Sequence, residues 1–335
     1  MITAIKIKNF RGIAQGEVSG LKPLTALVGA NNSGKSAVLE AVFIGESNGH
    51  PRAVYDAIHA RGWVGLETVR NIAFRNLGNC SIGITRPGNP QAFGVKIGVR
   101  EGEPRQAPAN AGSEGSYLIV SITSWCAKED FAIDLHGTSI SRNTGASISG
   151  VRFVGVDTLR RPTDYEELFS KAIGVGKPVE DALVALCAAL RPATKSLRIL
   201  KKDDAFILHT VDEDGAIPLY LAGDGLRRLF RIACHLAEAR DGVVLIEEPE
   251  CFQHPKAMDD FTRLLWAAVG QGTQVVFSTH SLELLANVFA AEEGRDLSKA
   301  CILRTRLDDG KLHTGIIDGA EARERLHDVG EDLRR

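Results

Sequence analysis

The sequence predicts an α/β protein with a mixed β-sheet core, an antiparallel N-terminal β portion and an inserted helical segment. Three observations carry this. The apolar run Leu24 to Val28 leads into Gly29-Ala30-Asn31-Asn32-Ser33-Gly34-Lys35-Ser36 and then into the helix-like Ala37 to Phe43, the strand, loop and helix that a phosphate-cradling loop requires. Between Cys80 and Val156, short apolar or alternating runs are separated by Gly, Pro, Asn and Ser clusters, which reads as β-structure. After Asp157 the periodicity turns helical, and the chain then closes with alternating strands and helices.

Taken in order, Ile2 to Ile7 alternate apolar and polar residues as a half-buried strand does. Asn9-Phe10-Arg11-Gly12 then turns, and a second short strand falls near Gly16 to Val18. The stretch from Tyr55 to Leu77 has a mixed pattern that assigns no element. Strands follow at Cys80 to Thr85, Ala92 to Val99, Tyr117 to Ile122, Phe131 to Leu135 and Val151 to Val156, with a surface loop at Gly102 to Gly115. Tyr165 to Ala172 and Val179 to Leu190 carry apolar residues at three- and four-residue spacing, and Arg191-Pro192 stops the second helix. Leu197 to Leu200, Phe206 to Val211 and Ile217 to Leu221 read as strands, with Glu213-Asp214-Gly215 as a hairpin turn. A helix over Leu226 to Ala239 precedes the apolar, mostly β-branched run Val243 to Ile246, as in a parallel strand covered on both faces. Helix Lys256 to Val269, strand Thr273 to Phe277, helix Leu282 to Ala291 and strand Cys301 to Arg304 complete the alternation. Asp308-Asp309-Gly310 turns a last hairpin into Leu312 to Ile317.

With 335 residues the chain has enough length for a substantial core, and 40 Lys plus Arg against 42 Asp plus Glu leaves no global attraction to nucleic acid or acidic membranes. A local basic patch remains compatible with that balance. The six cysteines are scattered, without a C-x-x-C pair, and read as thiols of a reducing compartment. The N-terminus lacks an apolar signal core and no apolar run approaches the length of a membrane span, so the expectation is a cytoplasmic protein without membrane contact.

Four motifs carry chemistry. In Gly29 to Ser36 the glycines let successive N–H groups and the positive end of the next helix face a polyphosphate; Lys35 reaches the β- and γ-phosphates and the Ser36 hydroxyl sits on Mg²⁺. The apolar run Val243 to Ile246 ends in Glu247-Glu248, which places one carboxylate for the Mg²⁺ shell (Glu247) and one to orient and deprotonate the attacking water (Glu248). Phe277-Ser278-Thr279-His280-Ser281 is a strand running out into a polar tip, where His280 can touch the γ-phosphate and hold the water in line. Leu221-Ala222-Gly223-Asp224-Gly225 is a glycine-rich turn at a helix start, a second anion-binding end; its plainer alternative is a turn with Asp224 as N-cap.

The set NFRG, GANNSGKS, LAGDGLRR, LIEEPE and STHS, in this order, resembles the ABC-type ATPase heads of the RecF, structural-maintenance-of-chromosomes (SMC) and OLD (overcoming lysogenization defect) group, and within it the stand-alone OLD-like AAA ATP-binding proteins. The resemblance implies a phosphate-loop NTPase fold in one domain over residues 1–335: a lobe at about 1–156, a helical insert at about 157–195 and a second lobe at about 196–335. It implies that ATP and Mg²⁺ are bound by Gly29, Asn31, Asn32, Ser33, Gly34, Lys35 and Ser36, with Glu247 and Glu248 as the Walker B pair and His280 as the switch histidine. Gly223, Asp224 and Gly225 become the signature turn that reaches the nucleotide of a partner subunit. Arg11 takes the place of a basic residue near the nucleotide.

The partners implied are a second copy of the chain, as a homodimer or higher homo-oligomer through composite ATP sites, and a separate effector protein, with nucleic acid a further candidate. DNA transactions or phage defence are the implied setting. Glu247 replaces the group's usual Asp, and the signature lacks its usual Ser. The glutamine-loop residue has no fixed position, although Gln91 lies in a suitable β region. A weakly catalytic scaffold that sequesters a partner is the alternative. A nuclease is a lesser one, because no carboxylate cluster stands outside the ATP motifs and the stretch after His280 is too short for an appended acidic nuclease domain. For nucleic acid the sequence offers Arg227-Arg228-Arg231, Arg198, Lys201 and Lys202.

Overall fold

The computed structural model describes residues 1–59, 72, 79–101, 117–124, 128–134, 148, 150–156, 165–202 and 204–334. The α/β class and the mixed sheet are as expected. The first half supplies β1 (Ala4–Phe10), β2 (Ile13–Ser19), β3 (Leu24–Val28), α1 (Lys35–Glu46), α2 (Pro51–His59), β4 (Cys80–Arg86), β5 (Asn89–Glu101), β6 (Tyr117–Thr123), β7 (Lys128–Asp134) and β8 (Val151–Val154). The second half supplies α3 (Tyr165–Ile173), α4 (Lys177–Leu190), β9 (Ser196–Lys202), β10 (Ala205–Val211), β11 (Ala216–Pro218), α5 (Asp224–Glu238), β12 (Val243–Glu247), α6 (Pro255–Gly270), β13 (Gln274–Ser278), α7 (Leu282–Val288), β14 (Ala300–Asp308), β15 (Lys311–Asp318) and α8 (Gly319–Arg323).

Among the described residues, 12 strands form one sheet in the order β7-β6-β5-β4-β1-β2-β15-β14-β3-β13-β12-β8. The N-terminal side, β7 to β2, pairs antiparallel throughout. From β14 to β8 the neighbours are parallel, which fits the alternating strands and helices of the C-terminal half. β9, β10 and β11 form a separate antiparallel sheet, with the Glu213 to Gly215 turn closed by Asp212 N–H donating to Gly215 O at 2.9 Å.

The sheet divides two cores. Along β12, Val243 and Leu245 enter the core that contains α1, while Val244 and Ile246 enter the one beneath α5 and α6. Every residue of β3 is buried, and Leu27 sits in the first core whereas Leu24, Ala26 and Val28 sit in the second. A strand covered on both faces reads as a nearly all-apolar run, which is why both strands were visible in the sequence.

Several boundaries differ from the sequence reading. The run Ile217 to Leu221 is not one strand: β11 ends at Pro218, which has no N–H to extend a ladder, and Leu219–Leu221 tighten into a 3₁₀ turn. α5 begins at Asp224 with Gly223 at its N-cap and no side-chain cap, so Asp224 is not the capping residue. α7 stops at Val288, short of Ala291. The proposed loop over Gly102 to Gly115 and the side chain of Gln91 lie outside the described residues. Arg228 is 0% and Arg231 8% exposed, so these two do not form a nucleic-acid surface; Arg198 and Lys201 are exposed.

Candidate functional site

The site grows from the end of β3. Gly29 has φ 148°, and a Cβ there would lie 2.3 Å from Thr305 O, so the loop can start its turn at this point with no other residue. The loop is fastened underneath by the Ser33 and Thr305 hydroxyls, 2.9 Å apart, and Thr305 Oγ1 also donates to Val28 O at 3.2 Å. Gly34, at φ 94°, is the N-cap of α1, which has no side-chain cap and no acidic residue in its first turn. Its first N–H groups and the positive end of its dipole are therefore left for an anion. Lys35 is 5% exposed and curls back over the loop, donating to Gly29 O at 2.9 Å and Ala30 O at 3.0 Å. Burial lowers its pKa from the ordinary lysine value, against the opposing pull of Glu248, Glu250 and Glu247.

A cavity of about 540 Å³ opens over this loop. Asn31, Asn32, Ser33, Gly34, Lys35 and Ser36 line one side of it, and Arg11, Glu248 and His280 also line it. The parallel register of β12 and β13 explains how residues so far apart in sequence meet: Glu247 pairs with Ser278, so both strands end at one level. Glu248 is the first residue past β12 and adopts φ 45°, a strained setting for a non-glycine, while its N–H donates to Ser278 O at 3.0 Å. His280 Nε2 stands 3.7 Å from Glu248 Oε1.

Two predicted residues are engaged with the scaffold. Glu247 does not line the cavity; its Oε2 accepts from Val156 N–H at 3.5 Å, on the side of β8. Arg11 lines the cavity, but its Nε donates to Glu40 at 2.8 Å and its Nη2 to Ala57 O at 2.7 Å, so much of its donor capacity is spent on the scaffold. Gly223, Asp224 and Gly225 are not brought to the cavity. They sit at the start of α5, where Gln253 Nε2 donates to Gly225 O at 2.9 Å and Asp224 pairs with Arg227. Beside them Leu221 is 66% and Phe252 58% exposed.

Sequence reasoning missed the residues that hold these loops. Arg228, on α5, is fully buried and donates to Gly155 O at 3.1 Å, to Glu248 O at 3.1 Å and to Glu247 O. An arginine in an RR pair gave no hint of burial. Thr305 lacked any motif, although its place on the strand beside β3 is what brings it under the loop. Among the described residues no group of three or more His, Cys, Asp and Glu could hold a metal ion. The Ser36 hydroxyl and Glu248 carboxylate at the cavity wall nonetheless suit Mg²⁺, a hard cation that keeps several waters and takes phosphate oxygens as ligands.

Comparisons with known proteins agree with this architecture. Residues 134–286 match the family model described as "AAA domain, putative AbiEii toxin, Type IV TA system", and residues 1–76 match that of an "AAA ATPase domain". An uncharacterised protein of Methanocaldococcus jannaschii is 26% identical over 62% of this chain and 95% of its own length. The Old nuclease of Escherichia phage P2 is 24% identical; it matches 87% of this chain, which spans 58% of that protein. A solved SMC head bound to the C-winged helix domain of ScpA superposes with a TM-score of 0.54 at 14% identity, covering 95% of this chain and 98% of that one. The Pyrococcus furiosus SMC head domain bound to the C-terminal domain of ScpA gives 0.50 at 12% identity, over 98% and 99%. The two AAA family models, the shared SMC-head fold and the distant Old nuclease likeness together support an ABC-type ATPase of the RecF, SMC and OLD group.

Proposed function

We propose that this protein binds ATP with Mg²⁺ in the cavity over Gly29 to Ser36 and hydrolyses it, two copies closing head to tail so that the Gly223 to Gly225 turn of each faces the other's nucleotide. One observation carries the reading: the free N-terminus of α1, Lys35, Glu248 and His280 converge on one cavity. Mg²⁺, when bound, neutralises charge on the phosphate oxygens. The α1 N–H groups and Lys35 would hold the triphosphate, and the Ser36 hydroxyl would be the cavity-wall oxygen donor for the ion. Glu248 orients the attacking water and takes its proton, and His280 keeps carboxylate and water in line with the γ-phosphate. Glu247, whose carboxylate faces β8, would hold the ion only through a water of its shell.

The exposed Leu221 and Phe252 beside the signature turn support a second copy as the surface that covers them. A separate effector protein is the further partner, supported by the ScpA domains held by the solved SMC heads. The setting is DNA transactions or phage defence. No described helix is long and apolar enough to cross a membrane.

The test is phosphate release by the wild type and by Glu248→Gln, with nucleotide binding measured for both. The proposal expects equal binding and hydrolysis reduced about 10²- to 10⁴-fold in the variant. A wild type no faster than the variant while both bind ATP would favour the scaffold reading.

A further inference from the structure

The His280 ring has a side chain about one-third exposed, and its near neighbour, Glu248 Oε1, is 3.7 Å away. The ring's position is therefore set by its own peptide unit, and that peptide has left the sheet, since β13 ends at Ser278. Two side chains hold it. Glu250 Oε1 accepts from His280 N–H at 2.7 Å and from the Thr279 hydroxyl at 2.7 Å. From the other side, Arg334 Nη1 donates to His280 O at 2.9 Å.

Neither holder is loose. Glu250 follows Pro249 directly after the acidic pair, so the carboxylate that grips the histidine loop and the one that faces the cavity ride on one short turn. Its second oxygen, Oε2, is buried without a hydrogen-bond partner among the described residues, a costly state for a carboxylate. Arg334 is fixed by Asp332, with Nε to Oδ1 at 2.8 Å and Nη2 to Oδ2 at 2.9 Å. Between them Leu333 is fully buried, and its carbonyl accepts from Arg304 Nε at 3.1 Å. Arg304 itself belongs to β14, next to β3, so the clamp is anchored to the strand beside the phosphate loop.

We propose that Glu250 and Arg334 are a positioning pair that clamps the His280 peptide by its N–H and its C=O, and so sets the reach of the ring to Glu248 and the γ-phosphate. The inference rests on the role given to His280 above. Neither residue itself lines the cavity that holds Lys35 and Glu248, although Arg334 borders the adjoining hollow that shares Asn31, Asn32, Ser33 and His280, and both act through the histidine.

The experiment has two arms. In the nucleotide-free protein, amide exchange of His280 is followed by NMR in wild type, Glu250→Gln and Glu250→Ala. Gln keeps an acceptor oxygen and retains protection within a few-fold, whereas Ala loses it by tenfold or more. In steady-state hydrolysis, Glu250→Ala and Arg334→Ala each lower kcat about tenfold to a hundredfold with KM changed less than threefold, the scale of a misplaced catalytic group. In a His280→Ala background neither adds a further loss. Unchanged exchange in Glu250→Ala, or rate losses that multiply with that of His280→Ala, would overturn the clamp. Should the wild type prove not to hydrolyse ATP, the functional reading fails alone, because the exchange arm needs no turnover. Should Glu250→Ala fail to fold, Arg334→Ala, whose side chain is partly exposed, carries the same cycle.

Discussion

Replacing Arg228 with methionine removes a buried cation while leaving in place every acceptor it serves. Its guanidinium supplies donors to the carbonyls of Gly155, Glu247 and Glu248, and reaches Val156 O at 3.5 Å. Methionine fills much of the volume, so packing loss is small, but the carbonyls lose the guanidinium; Glu248 O keeps the Cys251 N–H at 3.0 Å, so the cost falls mainly on Gly155 O and Glu247 O. At roughly 1–3 kcal/mol for each stranded group, and with some of them relaxing toward neighbouring N–H groups, the net cost comes to about 3–5 kcal/mol, the range seen when one side of a buried charged contact is removed. A protein of ordinary stability, about 5–15 kcal/mol, survives this in weakened form. With a denaturant slope of about 3 kcal/mol per molar urea, the unfolding midpoint followed by far-ultraviolet circular dichroism falls by about 1–1.7 M. Turnover at zero denaturant falls too, since the Glu248 main chain loses a fixed contact. A midpoint within about 0.2 M of the wild type would refute the account, showing that the carbonyls find other donors.

His235, on α5, is pushed down from the usual 6.5 to about 4, by burial first and then by Arg231, with Arg152 and Lys171 acting in the same sense and Glu238 opposing. The unfolded chain takes up its proton near pH 6.5 and the folded one near pH 4, so stability is complete above this window and is lost as pH falls through it. The loss is on the order of 3 kcal/mol, and stability curves measured at several pH values should flatten across the window in His235→Leu. The two signature glycines should separate in behaviour. A Cβ on Gly225 would meet Phe252 O at 2.6 Å, whereas one on Gly223 meets nothing within 4 Å. Gly225→Ala should lower the melting temperature by several degrees; Gly223→Ala should melt like the wild type yet weaken ATP-dependent self-association, read by analytical ultracentrifugation.

The strands covered on both faces were legible because burial on two sides demands a nearly all-apolar run, as in Val243 to Ile246 and in Leu24 to Val28, where Thr25 is the one polar residue. The phosphate loop was legible because its glycines answer a backbone need that no other residue meets. Less visible were the parts decided by partners distant in sequence. Leu219 to Leu221 look like strand, and it is Pro218 that ends the pairing. Arg228 looks like a surface base, and only the ends of β8 and β12 make it a core residue. The contact of Arg334 with His280 spans 54 positions, and no spacing rule announces it. Glu250 stood in plain view in the acidic motif, but its duty toward Thr279 and His280 follows from the level at which two parallel strands stop.

β12 is a party wall between the two cores, with alternate residues mortared into each. A wall of that kind cannot slide by one residue without evicting apolar side chains from both rooms, so the end that bears Glu248 is the fixed datum of the molecule. The histidine tip beyond β13 is held instead by hydrogen bonds, with Glu250 taking the His280 N–H and Arg334 its C=O. One strand end is thus keyed by apolar packing and its neighbour by charged clasps, and the two meet at the level where Glu247 pairs with Ser278.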